Sequence, residues 1–144
     1  MYDDRLPPHD IEAEEAVIGS LLIDGDAIYQ IAEIVSPEDF YEQRARWCFE
    51  SCVALFQRQE AINQITLAHE LSRVSHLDDI GGNAFLSHLV AAVPTSLHIQ
   101  YYARIVSKSS VLRKLIRAAG EISAIGYEEA PDIELSLDKA ENIL

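Results

Sequence analysis

Residues Thr95 to Gly126 read TSLHIQYYARIVSKSSVLRKLIRAAGEISAIG. No proline interrupts this stretch, and Gly120 is its only internal glycine. Tyr102, Ile105, Leu112, Leu115, Ile116, Ala119 and Ile122 recur at steps of three, four and seven. That spacing lines one face of a helix and does not fit a strand, whose faces alternate every second residue. Ser96 or Thr95, following Pro94, can cap the start. Gly126 can supply the left-handed residue that closes the end. A helix from Leu97 to Ile125 spans roughly 43 Å at about 1.5 Å per residue. Such a helix is too long to lie wholly across a small domain. One end is expected to pack on a globular body, and the other to project and need a partner.

Working outward, the preceding residues supply that body. Pro7 and Pro8 fix two φ angles and exclude a helix before them. Asp10 reads as an N-cap, with Glu12, Glu14 and Glu15 in the first turns, where the positive end of the helix dipole favours acids. Ile11, Ile18, Leu21 and Leu22 share a face, and Gly19 allows close packing. Asp24-Gly25-Asp26 is a turn by composition, and Asp26 is expected to cap a short second helix carrying Ile28, Ile31, Ala32 and Val35. Ser36-Pro37-Glu38-Asp39 has the pattern of a capped helical turn.

A third helix is predicted from Gln43 to Gln59. Ala45, Cys48, Phe49, Cys52, Val53 and Phe56 make its apolar face, with Trp47 and Leu55 on the flanks. Asn63 caps a fourth, and Ile62 and Leu67 form a hydrophobic staple across that entrance. Gly81-Gly82 leads into a fifth, Asn83 to Ala92, which presents Phe85, Leu86, Leu89 and Val90. Beyond Gly126, an acidic turn with Pro131 precedes a last amphipathic run from Ile133. Leu137, Ala140 and Leu144 fall roughly on one face of it, which makes a helical hairpin with the long helix. This last run carries no stop signal, so the reading expects a longer parent protein. The fold class is all-α: a compact head of five short helices over residues 1–95, and a projecting helical hairpin over 96–144, truncated at its C-terminal end.

Composition narrows the function. The chain has 144 residues, 24 acidic and 11 basic, for a net charge of −13. A sequence-independent nucleic-acid surface needs clustered Lys and Arg, so this balance argues against one and favours protein partners. Hydrophobic residues are 49% of the chain, enough for a real core. There is no apolar leader and no run near the roughly 20 residues of a membrane span. The expected location is the cytoplasm.

Chemistry has few footholds. His69-Glu70-Leu71-Ser72-Arg73 starts like a zinc-protease helix, but Arg73 stands where the second histidine belongs. His69 and Glu70 then read as solvated helix residues. Cys48 and Cys52 are one turn apart, yet no second ligand pair follows, and cysteines on an apolar face act as small hydrophobes. No phosphate-binding G-x-x-x-x-G-K-[ST] occurs. Arg104, Lys108, Arg113, Lys114 and Arg117 lie within 14 residues. They could touch phosphate, and read more readily as a solvated face or as partners of Glu134, Asp138 and Glu141 across the hairpin. No catalytic, cofactor or metal residue is expected.

The motifs together resemble the N-terminal domain of replicative DNA helicases of the DnaB family. The likeness runs from Leu6-Pro7-Pro8-His9-Asp10-Ile11-Glu12-Ala13-Glu14 and Val17-Ile18-Gly19 through Asp39-Phe40-Tyr41 and Ile65-Thr66-Leu67. It continues in Gly81-Gly82-Asn83-Ala84-Phe85-Leu86, Pro94-Thr95-Ser96 and Tyr102-Ala103-Arg104-Ile105-Val106. Two positions depart from the pattern: Asn63 stands where many relatives carry Asp, and Arg46-Trp47-Cys48-Phe49 replaces a more usual His-x-x-Ile-Phe. The resemblance implies a non-catalytic collar domain, with a RecA-like ATPase, and its ATP and Mg, in the missing part of the parent. It implies pairing with itself, as dimers within a hexameric collar, and docking of the C-terminal domain of primase at the replication fork. Leu112, Ile116, Ile122 and Leu137 are the residues expected to serve hairpin packing and the partner surface. Phe85 and Leu86 are expected in the core. The competing function is an accessory single-stranded DNA-binding helical domain, which should show basic grooves and stacking aromatics.

Overall fold

The computed structural model describes residues 5–144. Among these the structure is helical throughout, with no strand. Seven α-helices follow in order: α1 (Ile11–Ile23), α2 (Ile28–Ile31), α3 (Gln43–Gln57), α4 (Gln64–Arg73), α5 (Gly82–Ala91), α6 (Ile99–Tyr127) and α7 (Ile133–Ile143). Packing divides the chain into two units, His9–Ser110 and a terminal unit of residues 5–8 with Val111–Leu144. The division expected from the sequence follows the punctuation at Pro94, whereas packing places the first turns of α6 with the helices before it.

The unit His9–Ser110 holds the core. The closely packed pairs are α1 with α5, α3 with α4, α4 with α5, and α1 with α3. Ile18, Leu21, Ile31, Phe40, Phe49, Leu67, Leu71, Ile80, Leu86 and Leu89 are essentially sealed from solvent. The rings of Phe40 and Phe49 stack at 4.8 Å. Gly19 lets α1 lie against α5: a Cβ there would sit 2.2 Å from the Leu89 carbonyl oxygen. The α4 entrance forms as its sequence dictates. Asn63 Oδ1 accepts from the Thr66 N–H, Thr66 Oγ1 accepts from the Asn63 N–H, and Ile62 and Leu67 are both buried. Asp10 caps α1 by accepting from the Ala13 N–H.

Several local expectations are corrected. Asp24, not Asp26, provides the cap after α1, accepting from the Asp26 N–H to start a short 3-10 turn; α2 then has no side-chain cap. On α3 the buried face is Ala45, Cys48, Phe49, Ser51, Cys52 and Leu55. Leu55 is therefore core, while Val53 and Phe56 are only partly buried against it. Gly126 lies inside α6, and the left-handed residue that follows the helix is Glu129, at φ 49°.

Glu70 is the largest correction in this unit. It is 3% exposed, not solvated, and accepts from Arg58 Nη2 at 2.8 Å and Arg73 Nη2 at 2.7 Å. These two guanidiniums hold its carboxyl down at about pKa 2, Arg73 contributing most. A carboxylate whose folded pKa lies below its ordinary 4.5 adds stability above that ordinary value and loses it as the pH falls. Glu70→Gln is therefore expected to be less stable than the parent at pH 7, with the gap closing between pH 4.5 and about 2. Urea midpoints measured at each pH check this; a gap that stays constant down the range contradicts it.

Candidate partner-docking surface

No residue of the terminal unit is buried among those described. The last buried position on α6 is Ser110, whose hydroxyl donates to Asp39 Oδ1 at 2.7 Å. Up to that point α6 buries Ile99, Ala103 and Val106 in the core of the first unit. Beyond it the helix keeps large apolar side chains, none of which is buried. Leu112 is 38% exposed, Ile116 57% and Leu137 57%, while Ile122 is half-buried. Val111, Leu115, Ile133 and Leu135 are exposed as well.

Beyond Ser110 the half-buried apolar positions of α6 are Ala118, Ile122 and Ile125; on α7 the half-buried positions are Ser136, Ala140 and Ile143. Each set falls at steps of three and four, one narrow stripe per helix. Ile122 thus belongs to a stripe distinct from the exposed Leu112, Ile116 and Leu137. Residues 5–8 contribute to the same unit. Arg113 Nη1 donates to the Pro8 carbonyl at 2.8 Å, and Arg5, Leu6, Pro7 and Pro8 line a groove with Ile116.

The charges of this unit are segregated. Arg113, Lys114 and Arg117 lie on α6, and Glu134, Asp138 and Glu141 share one face of α7. The cross-hairpin pairing considered from the sequence does not form. Among the described residues Glu134, Asp138 and Glu141 make no ion pair, and all three are exposed.

Cys48 and Cys52 are buried free thiols, and burial pushes the Cys48 thiol up to about 12 and Cys52 well above its usual value. Such thiols are poor nucleophiles at neutral pH. No group of three or more metal-binding side chains occurs among the described residues. Phe85 and Leu86 are core, as expected. No described helix is long and apolar enough to cross a membrane.

One internal carboxylate escaped the sequence reading. Glu14 is 1% exposed and reaches across to the start of α3, where Oε2 accepts from the Tyr41 N–H at 2.9 Å and Oε1 from the Glu42 N–H at 3.0 Å. Glu42 in turn caps α3 by accepting from the Ala45 N–H. Only its place one turn before the buried Ile18 on α1 could have signalled this.

The comparisons with known proteins agree with this architecture. The family described as "DnaB-like helicase N terminal domain" matches residues 6–108. The replicative DNA helicase DnaB of Geobacillus stearothermophilus is 40% identical over 141 residues, 98% of this chain and 31% of that protein. The replicative DNA helicase DnaC of Bacillus subtilis is 35% identical over 144 residues, 100% of this chain and 32% of its own length. The chain therefore spans about a third of the curated relatives it matches. Among solved structures, the N-terminal domain of DnaB helicase from Mycobacterium tuberculosis superposes with a TM-score of 0.91 at 34% identity, covering 96% of each chain. The N-terminal domain of DnaB helicase from Helicobacter pylori, described with its primase interactions, shares the fold alone, at TM-score 0.67 and 20% identity.

Proposed function

This chain belongs to the DnaB-like helicase N-terminal domain family, and from that premise we propose that it is a non-catalytic docking and assembly domain of a replicative helicase. It pairs with copies of itself as part of a helicase collar and presents the same region to the C-terminal domain of primase. The observation that carries the reading is the terminal unit: Val111–Leu144 buries no residue, yet keeps Leu112, Leu115, Ile116 and Leu137 exposed on two regular helices. Apolar faces of this kind on a soluble domain mark contacts with other proteins. Relatives that span about three times this length carry the name of a replicative helicase. ATP and Mg chemistry belongs, in this reading, to the remainder of such a protein.

Direct binding of single-stranded DNA is disfavoured by the same surface. Stacking on DNA requires aromatic side chains beside a basic groove. Residues 111–144 contain a single aromatic, Tyr127, and the acids of α7 lie on the same unit as the basic residues.

Calorimetric titration with the C-terminal domain of primase from the same organism tests the docking half. Binding in the micromolar range or tighter is expected at near-physiological salt, corresponding to roughly 8 kcal/mol. Ile116→Asp is expected to weaken it at least tenfold while the far-ultraviolet helical signal is kept. Binding by the parent that Ile116→Asp and Leu137→Asp both leave unchanged would remove the docking site from this unit. No heat with either this chain or a full-length helicase would overturn the partner assignment.

A further inference from the structure

A pocket on the unit His9–Ser110, independent of the docking role given to the terminal unit, fits a cationic side chain. Its volume is about 340 Å³, and it lies where the turn after α1 meets the link between α3 and α4. A Cβ at Gly25 would sit 2.4 Å from the Ile62 carbonyl oxygen, so the two backbones touch and the walls are already in place. Gln59, at φ 60°, turns the chain out of α3 and lines the pocket as well. Three features of the lining attract positive charge. Tyr29 is 73% exposed and meets Phe56 at right angles, with ring centroids 5.0 Å apart, so a face of its ring stays open to a guanidinium. Asp26 lies three residues before Tyr29, across a 3-10 turn that brings i and i+3 into line. Its carboxylate makes no ion pair among the described residues, whereas both oxygens of Glu60 already accept from Arg58. The last turn of α3 reaches the pocket at Phe56 and brings the negative end of its dipole. No basic residue lines the pocket among those described.

Arginine suits these features better than lysine. A planar guanidinium stacks on a ring and forks onto a carboxylate, while an ammonium is a point charge with no such fixed geometry. The size of the pocket, at the small end for ligand sites, suits one long side chain rather than a cofactor. Residues 9–110 carry 15 acidic and six basic side chains. The field of such a unit draws in basic segments of other proteins. We propose that the pocket receives an arginine side chain from a basic segment of a partner protein. Tyr29 stacks on the guanidinium, Asp26 accepts its hydrogen bonds, and the preformed walls keep the ordering cost of binding low.

Backbone amide NMR of the whole isotope-labelled chain, titrated with acetyl-Gly-Gly-Arg-Gly-Gly-amide, is the test. Saturable shifts are expected at Asp26, Tyr29, Gln59 and Ile62, with a dissociation constant in the millimolar range, since one side chain is engaged. The same peptide with citrulline, close in shape but uncharged, is expected to bind about tenfold or more weakly. Asp26→Asn and Tyr29→Ala should each weaken the arginine peptide about threefold or more. Both side chains are exposed, so the spectrum of the folded chain is kept. Free arginine, whose own carboxylate meets an acidic unit, is expected to bind more weakly than the peptide. Absence of saturation, shifts scattered over the acidic surface, or equal binding of the citrulline peptide would overturn the proposal. So would parental binding by both variants, which places the cation elsewhere. Tighter binding of free arginine than of the peptide would make this a small-molecule site and overturn the protein partner.

Discussion

Gly19→Ala is expected to cost about 3 kcal/mol of folding stability, although alanine is ordinarily the better helix residue. Its new methyl group would lie 2.2 Å from the Leu89 carbonyl oxygen and 3.2 Å from Val93 Cγ2. The first of these is backbone of α5, which no side-chain rotation can move away. Relief requires α1 to separate from α5, the closest-packed pair in the unit His9–Ser110, so Ile18, Leu21, Leu86 and Leu89 lose contact together. Gly120 gives the opposite result. A methyl group there meets nothing within 4 Å. Gly120→Ala should therefore gain about 0.5–1 kcal/mol from propensity alone. Urea denaturation of both variants tests the contrast, and equal effects at the two glycines would contradict it.

Glu14→Ala is the second large loss, about 2–6 kcal/mol. Its carboxylate accepts from two backbone N–H groups, those of Tyr41 and Glu42. Removing it strips both of their partner in a partly buried setting, at about 1–3 kcal/mol for each orphaned donor. The carboxylate is also a negative charge at the N-terminal end of α3, where the helix dipole favours it. The consequences are expected to reach Phe40, whose carbonyl is held by Arg46 through Nη2 at 2.9 Å. Glu14→Gln keeps an acceptor for one donor and gives an intermediate loss. If the glutamine variant matched the alanine variant, the hydrogen bonds would not be the source of the effect.

These two positions also show what could be read from the chain. Gly19 was legible because a lone glycine inside an apolar helical stripe has a packing reason. The α4 entrance was legible because its cap, reciprocal partner and staple are all local, within five residues. Glu14 and Glu70 were not: Tyr41 and Glu42, the partners of the first, lie elsewhere in the chain, and the second, although Arg73 is one turn away, also takes Arg58 from the end of α3. An acid in a first turn is adequately explained by the helix dipole until tertiary structure brings a second use for it. Leu55 was placed on a flank because the apolar residues of α3 cover more than half its circumference, and only the direction of α4 chooses among them. The same ambiguity hid Ile99, Ala103 and Val106 behind the longer stripe that starts at Tyr102. Gly126 misled because a helix can run through a glycine when nothing opposes it, and α6 ends one residue later. In the terminal unit, the wide spread of apolar residues was visible, but whether Ile122 faced inward with Ala118 and Ile125 or outward with Ile116 was not.

Amide hydrogen exchange of the whole chain, followed from dilute to concentrated solution and again with the primase C-terminal domain added, tests the central claim most directly. Residues 111–143 have no buried side chain to protect them, whereas α1, α3 and α5 are sealed in a core. The account predicts that amides beyond Ser110 exchange orders of magnitude faster than those of α1 at dilution, and slow as either partner binds, while His9–Ser110 stays unchanged. Equal protection of both units at every dilution, indifferent to concentration and to primase, would show that Val111–Leu144 needs no partner and would contradict the account.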